Sequence, residues 1–316
     1  MSKSGRDAAL HALSRLRRSK AWSEDCLNSY IEKHELDRRE AALASRLCYS
    51  VLQNMALCDF YINCYSSVKS AKLQPQVLDI LRMSVCQILF FQQIPDRAAV
   101  SEAVTLCKNK GYAKASGLVN GVLRRISENR DLLPQVPGKG SAEYLAVRYS
   151  HPIWLVEEYL SQLGYESCEA LLSCVNSEIA IAAQVNSLKC DCAKLKGELE
   201  ALGVSVAEHP WMSDCLLLRG GGSLVKLPPF QNGEFYVQDP AARLAVIAGG
   251  IEPGMKVLDI CAAPGGKSFS AAIMMKNRGK LVSLDINEKK LRRIESAAER
   301  LGLTVIETGA MDAGKP

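Results

Sequence analysis

The chain has 316 residues, 48% hydrophobic and 23% charged, the balance of an ordinary globular protein of two or three domains. No apolar run is long and uncharged enough to span a bilayer, and the start, Met1 to Asp7, lacks the apolar core of a secretion signal, so a cytoplasmic protein with no membrane partner is expected. Net charge is +5 but uneven: residues 1–135 carry 20 Lys and Arg against 13 Asp and Glu, a net +7, and residues 136–316 carry 19 against 21, a net −2, which predicts that the front of the chain meets a polyanion.

The first 130 or so residues read as helices. Asp37-Arg38-Arg39-Glu40 has the spacing of a capping box, and Leu43, Leu47 and Val51 follow at helical intervals. Val77, Leu81, Val85 and Ile88 form a second stripe, and Leu118, Val122 and Ile126 a third, with Pro75, Pro95 and Gly111 between them as breakers. Arg15, Arg17 and Arg18 early and Arg124 and Arg125 late give basic clusters on these helices. Pro134 to Ser141 reads as a linker. His151-Pro152-Ile153-Trp154 then opens a helix with Leu155, Tyr159, Leu160 and Leu163 on one face and Gly164 at its end.

A small α+β stretch follows: strand Ile179–Val185, helix Cys192–Leu202 ended by Gly203, strands Val204–Ala207 and Cys215–Leu218, and a loop at Gly220-Gly221-Gly222. Twelve scattered cysteines read as reduced thiols, mostly in cores. The close pair Cys190 and Cys192 has no Cys-x-x-Cys or histidine-rich company, so no metal site is expected. From Phe235 strands and helices alternate: strand Lys256–Ile260, helix Ser268–Lys276, strand Leu281–Leu284, a helix marked by Leu291, Ile294, Ala298 and Leu301 between Asn287 and Gly302, and strand Thr304–Glu307. That order is the mononucleotide-binding half of a doubly wound parallel sheet.

The chemistry concentrates in Val257-Leu258-Asp259-Ile260-Cys261-Ala262-Ala263-Pro264-Gly265-Gly266-Lys267-Ser268. Small side chains between a strand and a helix let the backbone approach a ligand, and the helix N-terminus offers free N–H groups. Asp285, 20 residues beyond Gly265 at the end of the next strand, is placed to accept from both hydroxyls of a ribose. A dinucleotide is disfavoured because Gly-x-Gly-x-x-Gly is absent. Gly266-Lys267-Ser268 matches the end of a phosphate-binding P-loop, but the first glycine of that motif falls on Cys261. S-adenosyl-L-methionine, with a ribose and no phosphate, fits the turn and the acid; a purely structural turn is the remaining reading.

Cys261 to Ser268 resembles the cofactor loop of the NOL1/NOP2/Sun RNA cytosine-5 methyltransferases. Phe235 to Ala242, with its Gln238-Asp239 pair, is similar to that family's motif upstream of the loop, and Pro229 to Gly233 resembles the segment before it. Leu118-Val119-Asn120-Gly121-Val122-Leu123-Arg124 resembles a NusB domain, and His151, Pro152 and Trp154 the join that follows it; this order resembles that of bacterial 16S rRNA methyltransferases of the RsmB/Sun type. The resemblance implies a multidomain fold: an all-α NusB-like RNA-binding domain over 1–135, a linker helix and small α+β region over 142–232, and the first half of a Rossmann-like α/β methyltransferase domain over 233–316.

It also implies that Cys261, Ala262, Ala263, Pro264, Gly265, Gly266 and Lys267 wrap S-adenosyl-L-methionine, that Asp285 holds its ribose, and that Asp312 lies beside its adenine. The reaction implied is methyl transfer to carbon 5 of a cytosine in 16S rRNA. In the family an attacking and a releasing cysteine stand in Pro-Cys and Thr-Cys segments. None of the twelve cysteines here has either neighbour, so catalytic residues are expected beyond Pro316 and the chain reads as truncated and inactive alone. Arg124 and Arg125 are the expected RNA contacts, against the reading that they cap helix carbonyls or pair with Glu128. The alternatives are the same chemistry on tRNA, or a non-catalytic NusB-like RNA-binding or ribosome-assembly protein with a vestigial cofactor domain.

Overall fold

The computed structural model describes residues 4–18, 23–175, 180–220 and 224–315. By contact the chain divides into two compact units, Met1–Ser177 and Glu178–Pro316. No described helix is long and apolar enough to cross a membrane.

The described part of the first unit is helical: α1 (Gly5–Arg18), α2 (Ser23–Lys33), α3 (Arg38–Gln53), α4 (Met55–Tyr65), α5 (Pro75–Phe90), α6 (Asp96–Asn109), α7 (Ser116–Glu128), α8 (Ala142–Arg148) and α9 (Ile153–Val175). The organising element is α5. Its proline occupies the first turn, where no N–H is missed, and α1, α3, α4, α6 and α7 all pack against it. It is therefore buried around most of its circumference rather than along the single stripe the sequence suggests. Polar residues caught inside are all partnered: Ser84 Oγ donates to Ile80 O at 2.8 Å, and Gln87 Nε2 to Met83 O at 3.1 Å. The buried Asp79 carboxylate is met by Arg17 at 2.7 Å and Arg82 at 3.5 Å. Burial pushes its pKa up and the two guanidiniums pull it back. Arg17 thus neutralises a core acid instead of adding to a surface cluster.

The capping box over Asp37 to Glu40 is half made. Asp37 accepts from the Glu40 N–H at 2.9 Å, but the Glu40 carboxylate accepts from Gly5 N–H and so joins the start of α1 to α3. The Pro134–Ser141 stretch lies inside the first unit, and Ser141 caps α8 by accepting from Tyr144 N–H at 3.1 Å. By contact α8 and α9 fall within the first unit. The reason is local: α8 packs on α4, and Leu57 N–H donates to Ser150 Oγ at 3.1 Å. Gly164, at φ +73°, breaks α9 as expected, but the helix resumes because Cys168 and Leu172 complete a small core with Leu145 and Val156.

The second unit contains β1 (Ile181–Val185), α10 (Cys192–Ala201), β2 (Val204–Glu208), β3 (Cys215–Gly220), α11 (Pro228–Gln231), β4 (Phe235–Val237), α12 (Pro240–Ala248), β5 (Lys256–Asp259), α13 (Gly266–Met274), β6 (Lys280–Asp285), α14 (Glu288–Leu301) and β7 (Ile306–Ala310). Ile179 and the glycines 221 and 222 of the expected loop lie outside the described residues. The first four strands form an antiparallel sheet in the order β2-β3-β1-β4. With helices after β1 and β3, this is a ferredoxin-like arrangement. The last three form a parallel sheet, β5-β6-β7, with Asp259 opposite Ser283 and Asp285 opposite Ala310.

β4 ties the two together. Its backbone pairs with β1, yet its side chains alternate between cores: Phe235 lies with Leu195, Leu199 and Leu216, and Tyr236 with Phe269 and Leu281. The alternation of strands and helices read from Phe235 onward thus begins with a strand hydrogen-bonded into the earlier sheet. A second tie closes the far end of α14. Asn186 Nδ2 donates to Gly233 O and Leu301 O, both at 2.9 Å, and Lys189 Nζ donates to Asn232 O at 2.6 Å and Arg300 O at 2.8 Å. The Arg300 guanidinium lies 3.9 Å from the centre of the Phe230 ring.

Candidate functional site

The expected loop residues stand at the carboxyl ends of the parallel strands, where open α/β sheets place their ligands. β5 ends at Asp259, whose carboxylate braces the turn: Oδ1 accepts from Cys261 N–H at 3.3 Å and Oδ2 from Ser268 Oγ at 2.8 Å. Ser283 Oγ donates in turn to Ser268 at 2.9 Å, so β6, α13 and β5 are locked by a short buried hydroxyl chain. The turn reaches α13 through Gly265, at φ +107°, where a Cβ would lie 2.4 Å from the Phe269 ring. Glycine at this position also leaves the first N–H groups of α13 without a side-chain cap.

Asp285, at the end of β6, is brought directly to the loop. One carboxylate oxygen accepts from Ala263 N–H at 3.1 Å and the other from Asn287 N–H at 3.0 Å. The Asn287 N–H lowers its pKa most; desolvation opposes this, and the Ala263 N–H and the Lys290 charge reinforce it. The group therefore stays ionised at neutral pH, and each oxygen retains a lone pair for a further donor. Met311 N–H donates to Asp285 O at 3.1 Å, which sets Asp312 just past β7 at the same sheet end. The Asp312 carboxylate accepts from Gly314 N–H at 3.0 Å and pairs with Lys315 at 3.5 Å.

Cys261 and Lys267 also border a cavity beside the turn. Shared with Asp259, Ile260 and residues of α12, it measures 360 Å³, and its lining includes neither Asp285 nor Asp312. Gln238, assigned no role from the sequence beyond its place in the Gln238-Asp239 pair, also reaches this turn. It is buried beneath Gly266, accepts from Ser270 Oγ at 2.7 Å, and leaves Nε2 unpartnered; Tyr236 donates its hydroxyl to the same Ser270 at 2.6 Å. Its position beside Asp239, which caps α12 through the N–H groups of Ala241 and Ala242, was the available signal.

Arg124 and Arg125 are both exposed on α7 but behave differently. Arg125 Nε donates to Gly121 O of its own helix at 3.2 Å, whereas Arg124 borders a groove against α6.

Comparison with known proteins agrees with this architecture. Residues 3–128 match the NusB family, residues 151–224 the ferredoxin-like domain of RsmF/B-like methyltransferases, and residues 249–316 the family described as 16S rRNA methyltransferase RsmB/F. The chain is 37% identical over 311 residues to the probable ribosomal RNA small subunit methyltransferase B of Bacillus subtilis (strain 168), covering 98% of this chain and 69% of that one. It is 26% identical over 314 residues to the probable ribosomal RNA small subunit methyltransferase B of Synechocystis sp. (strain ATCC 27184 / PCC 6803 / Kazusa), covering 99% of this chain and 70% of that one. The crystal structure of PH0851 superposes with a TM-score of 0.74 at 25% identity, over 98% of this chain and 70% of that one.

Proposed function

Since the chain belongs to the RsmB/F family of 16S rRNA methyltransferases, we propose that it holds S-adenosyl-L-methionine at the carboxyl ends of β5, β6 and β7, for methyl transfer to carbon 5 of a cytosine in 16S rRNA. The observation that carries this reading is the Asp285 carboxylate, ionised, bonded to the loop through Ala263 N–H, and still able to accept from a ribose diol. The rest of the donor set fits the same ligand. The uncapped start of α13, from Gly266 onward, leaves N–H groups for polar atoms of the methionine part. Asp312 stands at the same sheet end for the adenine. No group of three or more His, Cys, Asp or Glu able to hold a metal is found among the described residues.

Bound there, the cofactor supplies an electrophilic methyl group. The chain's own residues hold the ribose (Asp285), shape the pocket (Ala262 to Gly266), and keep the turn closed (Asp259, Ser268 and Ser283). The +7 front of the chain supplies the charge for an RNA partner.

A calorimetric titration separates this from the phosphate-binding alternative. S-adenosylhomocysteine is expected to give a saturable one-site isotherm with the 316-residue chain, and magnesium ATP none. The opposite pattern returns Gly266-Lys267-Ser268 to the P-loop reading.

A further inference from the structure

In the first unit, α6 and α7 lie side by side and enclose an open groove of 860 Å³. Its α6 wall carries Arg97, Ser101, Thr105 and Lys108, at successive helical turns; its α7 wall carries Asn120 and Arg124. Val100 and Val104 form an apolar floor. Arg97, Lys108 and Arg124 are exposed, and none is engaged in an ion pair with a described residue. The neighbouring acid Asp96 is committed elsewhere, accepting from Ser127 Oγ at 3.0 Å and Arg130 at 3.4 Å, and Glu128 is the one carboxylate on the rim. A solvated helix face normally intersperses both signs; here three unpaired cations and four neutral hydrogen-bonding side chains share one trough.

We propose that this groove is an RNA-binding surface, taking one strand of the backbone along α6. From Arg97 to Lys108 the helix rises about 16 Å, long enough to follow several consecutive phosphates. Arg124 faces the same strand from α7, and Ser101, Thr105 and Asn120 are placed to meet sugar hydroxyls and base edges. The proposal rests on reading the chain as an rRNA-modifying protein and names where that RNA lies. It leaves out Arg125, whose guanidinium is turned on to Gly121 O. It also prefers this groove to the basic pocket on α1 that holds His11, Arg15 and Arg18, where Lys110 is already paired with Asp7 at 2.6 Å.

The test uses the 316-residue chain and a fluorescein-labelled 20-nucleotide single-stranded RNA of mixed sequence, read by anisotropy from 50 to 200 mM KCl. Three forms are compared with the unaltered chain: R97E/K108E/R124E, the α1 pair R15E/R18E, and a charge-matched control, R39E/K69E/K139E, with circular dichroism to verify the fold of each. Three lost phosphate contacts should lower the slope of log K against log salt by about 2, at roughly 0.7 per phosphate on a single strand. The groove variant is expected to lose at least tenfold in affinity at 100 mM salt beyond any loss in the control. A folded groove variant that binds as the control does overturns the proposal and leaves the trough to a protein partner. Loss confined to R15E/R18E overturns it in favour of α1. If the unaltered chain binds no RNA at 50 mM salt the groove proposal fails, while the titration with S-adenosylhomocysteine separately decides the cofactor reading.

Discussion

Asp285→Ala is expected to weaken binding of S-adenosylhomocysteine by roughly tenfold to a hundredfold, the equivalent of about 1.5–3 kcal/mol for hydrogen bonds to a charged acceptor. Two effects combine. The ribose hydroxyls lose their acceptor, and Ala263 N–H, bonded to the carboxylate at 3.1 Å, loses its partner, so the loop is less firmly held when ligand arrives. A cycle with an analogue lacking both ribose hydroxyls separates them, since the direct contribution vanishes for that ligand while the loop contribution remains. Asp285→Asn, which keeps one acceptor oxygen, should fall between the two. Unchanged affinity in Asp285→Ala would remove the acid from the site.

The largest loss of stability is expected from Gly233→Ala. Gly233 sits at φ +73°, a conformation that costs an alanine about 1–2 kcal/mol, and the added Cβ would lie 2.0 Å from Arg300 O. That oxygen is backbone at the end of α14, fixed by Lys189 Nζ, with Asn186 Nδ2 bonded to the next carbonyl, so it cannot retreat without breaking these bonds. A total of about 4 kcal/mol follows, enough to lower the melting temperature by roughly 10 °C. Gly250→Ala is the control, because Gly250 has φ +59° but open space around its Cβ position. Its cost should stop at about 1–2 kcal/mol of backbone strain. A Gly233→Ala protein that melts with Gly250→Ala would show that the α14 tie does not carry stability.

Much of this was legible in the residues because it depended on neighbours in sequence. The helices of the first unit follow from periodicity, and the parallel half-sheet follows from the order of its strands and helices, with Leu291, Ile294, Ala298 and Leu301 buried as their spacing requires. What was not legible depended on distant partners. Arg17 looks like surface charge until Asp79, 62 residues away, is found buried beneath it. Glu40 fits the capping box but is taken by Gly5. β4 falls among the residues of the second sheet by sequence and pairs with the first, because three residues are too few to declare a partner. At the site, Asp285 could be placed by its spacing from Gly265. The brace through Asp259, Ser268 and Ser283 and the buried amide of Gln238 required the three-dimensional arrangement of four elements.

The β5–α13 turn and the end of β6 are the proposed S-adenosyl-L-methionine site. Amide hydrogen exchange of the 316-residue chain, with and without saturating S-adenosylhomocysteine, tests it most directly. Protection is expected in peptides covering Cys261 to Ser268 and Asp285 to Asn287, with a smaller gain around Asp312 and none in α1 to α7. Ligand-dependent protection that spares the turn and Asp285, or appears only elsewhere in the chain, would contradict it.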